Sequence, residues 1–144
     1  MRYKLFSDTA KVPVKADEGS AGYDLYGDND QEIWVMPHHT EVIGTGIGME
    51  IPMGTFGAIL PRSGVATKRG LRPANTPGCI DPSYRGEIKI ALHNDTDEPQ
   101  VVKPHERIAQ IVFIPYSTVP TWEQADDLSE TERGAGGFGH SGTA

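Results

Sequence analysis

Glu87-Ile88-Lys89-Ile90-Ala91-Leu92 alternates with period two, which puts Ile88, Ile90 and Leu92 on one face of an extended segment. That is the pattern of a half-buried strand. The following Asn94-Asp95-Thr96-Asp97-Glu98-Pro99 is turn chemistry, and Val101-Val102 resumes the apolar pattern, so two strands joined by a tight connection are expected. Further strand candidates are Tyr3 to Phe6, Ile33 to Met36, Glu41 to Ile51, Thr55 to Leu60 and Ala109 to Ile114, separated by proline or glycine at short intervals. The 17 glycines and 11 prolines amount to roughly a fifth of the 144 residues, against about 12% in average usage. Helix is therefore expected for a turn or two at most, around Val65 to Lys68. Many short strands with turn-rich spacing predict an all-β sandwich or barrel with jelly-roll character, and the length suits one domain.

The formal net charge of −7 argues against duplex nucleic acid as a partner, because that affinity rests on cationic contacts to phosphate. The single Cys79 closes no intramolecular disulfide, and no Cys/His spacing suggests structural zinc. Residues 1–10 contain no apolar run of the signal-peptide kind, and Gly57 to Leu60 and Ile111 to Ile114 are far too short to span a membrane. A soluble, cytoplasmic or otherwise intracellular chain without membrane contact is expected.

Against that acidic background, residues 51–80 hold no acidic residue but include Arg62, Lys68, Arg69 and Arg72, which suggests a local anion site. Within it, Pro61-Arg62-Ser63-Gly64 combines a planar cationic fork, a hydroxyl and a glycine that lets backbone N–H groups approach an anion. From Arg133 onward glycine dominates, as in a flexible arm. Gly134-Ala135-Gly136-Gly137-Phe138-Gly139 matches the dinucleotide fingerprint, yet it lacks the flanking strand and helix, and only five residues follow it. His38 and His39 are adjacent, hence on opposite faces of a strand, and are read as surface histidines rather than metal ligands. Asp24 and Asp81 each lie in glycine-flanked turns, where a carboxylate usually caps the backbone.

Taken together, these segments resemble the five ordered motifs of the trimeric deoxyuridine triphosphatase family. Ala21-Gly22-Tyr23-Asp24-Leu25 is similar to the first. Pro61 to Gly64 with Lys68-Arg69-Gly70 is similar to the second, and Asn75 with Gly78 to Glu87 to the third. Glu106-Arg107-Ile108-Ala109-Gln110 is similar to the fourth, and the tail from Arg133 to Gly142 to the fifth. The departures are small: Ala135 replaces a common acidic residue, His140 stands where Ser or His is usual, and Pro82-Ser83 replaces Ser-Asp or similar pairs.

The resemblance implies a jelly-roll β-barrel over residues 1–128 and a closing arm over 129–144. It further implies a homotrimer whose three active sites each draw on several subunits. The implied reaction hydrolyses dUTP to dUMP and pyrophosphate, keeping uracil out of DNA and supplying dUMP for thymidylate synthesis. By implication Arg62, Ser63, Gly64 and Gln110 hold phosphates, while Asn75, Cys79, Ile80 and Lys89 line the uracil and sugar pocket. Tyr84 packs under the deoxyribose. Asp81 positions the 3′-hydroxyl side and activates the attacking water. Asp24 lies near a Mg²⁺ held mainly by triphosphate and water, and Arg133, Phe138 and Gly139 close over the γ-phosphate and base.

The chemistry of the residues agrees with these roles. In-line attack of water on a triphosphate is limited by charge repulsion and positioning, so cations and backbone donors come first and one carboxylate serves as general base. Two alternatives share the fold: a deaminase acting on dCTP, for which no catalytic signature is present, and a nucleotide-responsive regulatory trimer.

Overall fold

The structure, a computed structural model, describes residues 1–119 and 121–137. Eleven strands and one short helix follow in chain order. They are β1 (Tyr3–Leu5), β2 (Tyr23–Tyr26), β3 (Ile33–Val35), β4 (Thr40–Gly44), β5 (Ile47–Met49) and β6 (Thr55–Leu60), then α1 (Ser63–Arg69). After the helix come β7 (Leu71–Pro73), β8 (Gly78–Ile80), β9 (Lys89–Asn94), β10 (Gln100–Val102) and β11 (Arg107–Pro115). Every pairing between them is antiparallel, which removes any doubly wound dinucleotide fold for the glycine-rich tail.

Lys89 to Leu92 lie in β9 and Ile88 directly precedes it, with Ile88, Ile90 and Leu92 each 1% exposed or less. They join Leu25, Ile43, Ile47 and Ile111 in one apolar core, where full burial of each such side chain contributes roughly 1.5–3 kcal/mol. Two expectations change. The predicted single strand from Glu41 to Ile51 is broken at Thr45-Gly46, where Gly46 takes φ 64° and Thr45 Oγ1 donates to the Ile88 carbonyl at 2.6 Å. The second change concerns β9 and β10, which do not pair with each other. β9 lies between β4 and β7, whereas β10 pairs with β3. Buried Asn94 organises the crossing: its Nδ2 donates to the Val35 and Glu98 carbonyls, and its Oδ1 accepts from Thr96 N and Oγ1.

The larger sheets have the orders β2-β11-β6-β8 and β4-β9-β7, with β1-β5 and β10-β3 as separate pairs. The chain is therefore mostly β as expected, but the described strands do not close into a hydrogen-bonded barrel. No helix among the described residues is long and apolar enough to cross a membrane.

The acid-free stretch turns out to be neutralised from outside. Arg69 bonds Glu106 and the Val101 carbonyl, and Arg72 grips Asp95 through two bonds of 2.6 and 2.9 Å. That clamp, led by the Arg72 hydrogen bond, holds the Asp95 carboxyl below its ordinary range. These two arginines serve the framework. Arg62 differs, as the site shows.

Candidate active site

Two groups of predicted residues assemble at different places. In the first, β2 contributes Asp24, 8% exposed, whose Oδ1 accepts from Arg62 Nε at 2.7 Å and whose Oδ2 accepts from Arg107 Nη1 at 3.1 Å. Arg62 Nη1 also donates to the Arg107 carbonyl at 3.2 Å. Two guanidiniums on one carboxylate leave a surplus of positive charge, as an anion site requires. Gln110 belongs to the same group: it pairs with Asp24 across β2 and β11 and donates from Nε2 to the Pro61 carbonyl at 2.9 Å. Ser63 and Gly64, in the first turn of α1, are exposed beside Arg62.

Arg107 escaped the sequence reading although it sits inside a quoted motif. Arg107 and Gln110 are three apart and would face opposite ways on a regular strand. A bulge lies between Arg107 and Ala109, so Arg107 pairs with Tyr26 and Gln110 with Asp24. Tyr26 and Asp24 share a face, and the extra residue turns both side chains of β11 to that face. A bulge leaves no mark in periodicity.

The second group lines a cleft of about 220 Å³ formed by Cys79, Ile80, Asp81, Tyr84, Glu87, Ile88 and Lys89. Cys79 Sγ donates to Asp81 Oδ1 at 3.7 Å. Desolvation first, and then the Asp81 charge and this bond, push the thiol of the exposed Cys79 above its usual range, which disfavours its thiolate. Tyr84 Oη donates to the Glu87 carbonyl at 2.8 Å, which fixes the ring against the cleft. Lys89 Nζ stands 3.7 Å from Glu87 Oε2. Glu87 is the other residue that the sequence reading missed. Asn75 is exposed on the segment before β8 and does not line the cleft.

Arg133 lies in neither group. Its Nε donates to the Gly136 carbonyl at 2.9 Å, inside a turn that also joins Gly134 N to Thr131. Phe138 and Gly139 lie outside the described residues. His38 is exposed, with Nε2 2.9 Å from Asp97 Oδ1, in keeping with a surface role.

Among the described residues no three His, Cys, Asp or Glu side chains converge on a metal position. Both Asp24 oxygens already accept from guanidiniums. An Asp24 already engaged in this way fits a divalent ion that arrives with its own phosphate and water ligands.

Comparison with known proteins points to one family. A family model described as dUTPase matches residues 8–142. The chain is 42% identical over 142 residues to a deoxyuridine 5′-triphosphate nucleotidohydrolase of Syntrophotalea carbinolica, covering 99% of this chain and 96% of that protein. A protein of the same name from Desulfitobacterium hafniense is 46% identical over 135 residues, covering 93% and 89%. Among solved structures, a Staphylococcus bacteriophage 80alpha dUTPase with dUpNHpp superimposes with a TM-score of 0.83 at 30% identity, over 99% of this chain and 98% of that one.

Proposed function

The chain belongs to the dUTPase family, and from that premise we propose how it hydrolyses dUTP to dUMP and pyrophosphate: the Asp81 cleft of one copy meets the Arg62 group of another, in a homotrimer with shared sites. The observation that carries this reading is the layout of β6. Gly57 pairs with Ile80 and Ile59 with Gly78, so Asp81 extends toward the Phe56 end of the strand, whereas Arg62 follows its other end. At about 3.3 Å per residue the two lie on the order of 15–20 Å apart. A general base must come within hydrogen-bond reach of the water that attacks the phosphorus, and the cations must hold that same phosphate chain. That separation favours supply of the two groups by different copies, as a closed symmetric assembly allows.

The substrate phosphates would then meet Arg62, the exposed Ser63-Gly64 turn and Gln110, with Arg107 adding to the positive field. Cys79, Ile80, Lys89 and Tyr84 would line the nucleoside pocket, with Asn75 at its approach. Asp81 would take a proton from the attacking water at its carboxylate as the bond to the α-phosphorus forms and pyrophosphate leaves. A Mg²⁺ bound to the triphosphate supplies screening of charge between phosphate oxygens, and Asp24 would reach it only through water. The arm over residues 129–144 would close with Arg133 on the γ-phosphate and Phe138 and Gly139 over the base.

Incubation with dUTP or dCTP and Mg²⁺, following pyrophosphate and ammonia separately, tests the reading. Pyrophosphate from dUTP alone is the expected result, from a species of about three times 15.6 kDa by light scattering. Ammonia from dCTP would favour the deaminase. Nucleotide binding without any product would favour a regulatory trimer.

Tyr84 supports a second expectation. Its ring, fixed by the bond to the Glu87 carbonyl, would leave no room for a 2′-hydroxyl. Tyr84→Ala is expected to lower the ratio of kcat/KM for dUTP over UTP by about tenfold or more, with a smaller loss in dUTP affinity. An unchanged ratio would assign sugar discrimination to another residue.

A further inference from the structure

We infer that Glu87 is a positioning residue for the nucleoside half of the site, holding Lys89 through its carboxylate and securing the loop that carries Tyr84. The inference rests on the functional reading above. A carboxylate lining a cleft that admits a polyanion weakens binding by like-charge repulsion unless it is neutralised. Both Glu87 oxygens are engaged, one by a backbone N–H and the other by the ammonium that offsets its charge. Oε1 accepts from Gly46 N at 2.9 Å, and Oε2 faces Lys89 Nζ at 3.7 Å. Its side chain is 25% exposed against 58% for Lys89, so the acid is the fixed partner and the ammonium the mobile one.

The surrounding backbone is arranged around this carboxylate. A Cβ on Gly44 would fall 2.3 Å from Glu87 Oε1, so the bare glycine on β4 is what admits it. Residues 81–88 form no regular element and are held at one end by Ile88, whose carbonyl accepts from Thr45 N at 3.1 Å and whose N–H donates to the Ile47 carbonyl at 2.9 Å. Glu87 adds a side-chain anchor to the same turn, while its own carbonyl receives the Tyr84 hydroxyl. One residue thus connects the turn between β4 and β5 to two walls of the nucleoside pocket.

Glu87→Gln separates charge from shape, because the amide oxygen still accepts from Gly46 N. Loss of an ion pair of this exposure is expected to raise KM for dUTP about two- to fivefold with kcat and melting temperature unchanged. Inhibition by dUMP should weaken by the same factor, and inhibition by inorganic pyrophosphate, which reports the phosphate half alone, should not move. In a Lys89→Met background, Glu87→Gln should change KM no further, since the two act as one unit. Glu87→Ala, which also strands the Gly46 N–H, should be worse; if it does not fold, the glutamine variant carries the test alone. Unchanged or lowered KM in an active Glu87→Gln protein, full additivity with Lys89→Met, or an equal shift in pyrophosphate inhibition would overturn the inference while leaving the functional reading intact. A wild-type chain that neither hydrolyses dUTP nor binds a non-hydrolysable analogue would overturn both.

Discussion

Asp81→Asn is expected to lower kcat for dUTP by about 10²–10⁴-fold, the usual worth of a positioned general base, while nucleotide affinity and fold persist. The structure explains why so small a change can be so selective. Asp81 is exposed at the end of β8, and its carboxylate bonds Cys79 Sγ at 3.7 Å. An asparagine retains an oxygen to accept that bond, so little packing is disturbed. What disappears is the capacity to take a proton from water. Steady-state kinetics beside calorimetric binding of a non-hydrolysable dUTP analogue would measure both halves. Near-normal turnover would move the general base to another group.

Deleting residues 133–144 should abolish most activity, by roughly 10²-fold or more if a single charge-stabilising donor is typical, and leave thermal stability nearly unchanged. After Pro115 no described residue enters a strand, and the hydrogen bonds of the turn at 131–136 stay within it. Removing such a terminus takes nothing from the core. The catalytic loss would come from the missing Arg133 fork at the γ-phosphate and from water entering where Phe138 would cover the base. Because such contacts tighten as the arm orders, kcat should fall more than affinity. A truncated protein with full turnover would leave the glycine run without a catalytic role.

The strands legible in the sequence were those whose apolar and β-branched run is not itself broken by turn residues, short ones such as β1, β3 and β10 included. Thr55 to Leu60 coincides with β6, and the Ile88, Ile90, Leu92 face is buried as its spacing requires. β7 and β8 were illegible because they are punctuated by Pro73, Pro77 or Gly78, which read as turn signals. β2 was hidden inside a glycine-flanked motif. For the site, the motif residues were visible by type, but their grouping depends on register. Asp24 meets Arg62 and Arg107 because β2 lies against β11 with a bulge, and Glu87 is held beside Lys89 where Gly44 leaves room for its carboxylate and Gly46 N donates to it. The surplus of arginine in residues 51–80 was misleading in part. Its acidic partners Glu106 and Asp95 come from distant segments, and composition within a window cannot see them.

The placement of Asp81 and Arg62 toward opposite ends of β6 has a consequence for heredity. If the two groups meet across copies as proposed, the site is not the property of any one polypeptide, and two defective alleles would cover for each other. If one allele lacks Asp81 and the other lacks Arg62, each alone encodes an inactive assembly. When both are expressed and mix at random, about a quarter of the sites draw an intact Asp81 from one product and an intact Arg62 from its neighbour. Activity would then return in the mixture though neither lesion has been repaired, and only for pairs of lesions that fall in different groups.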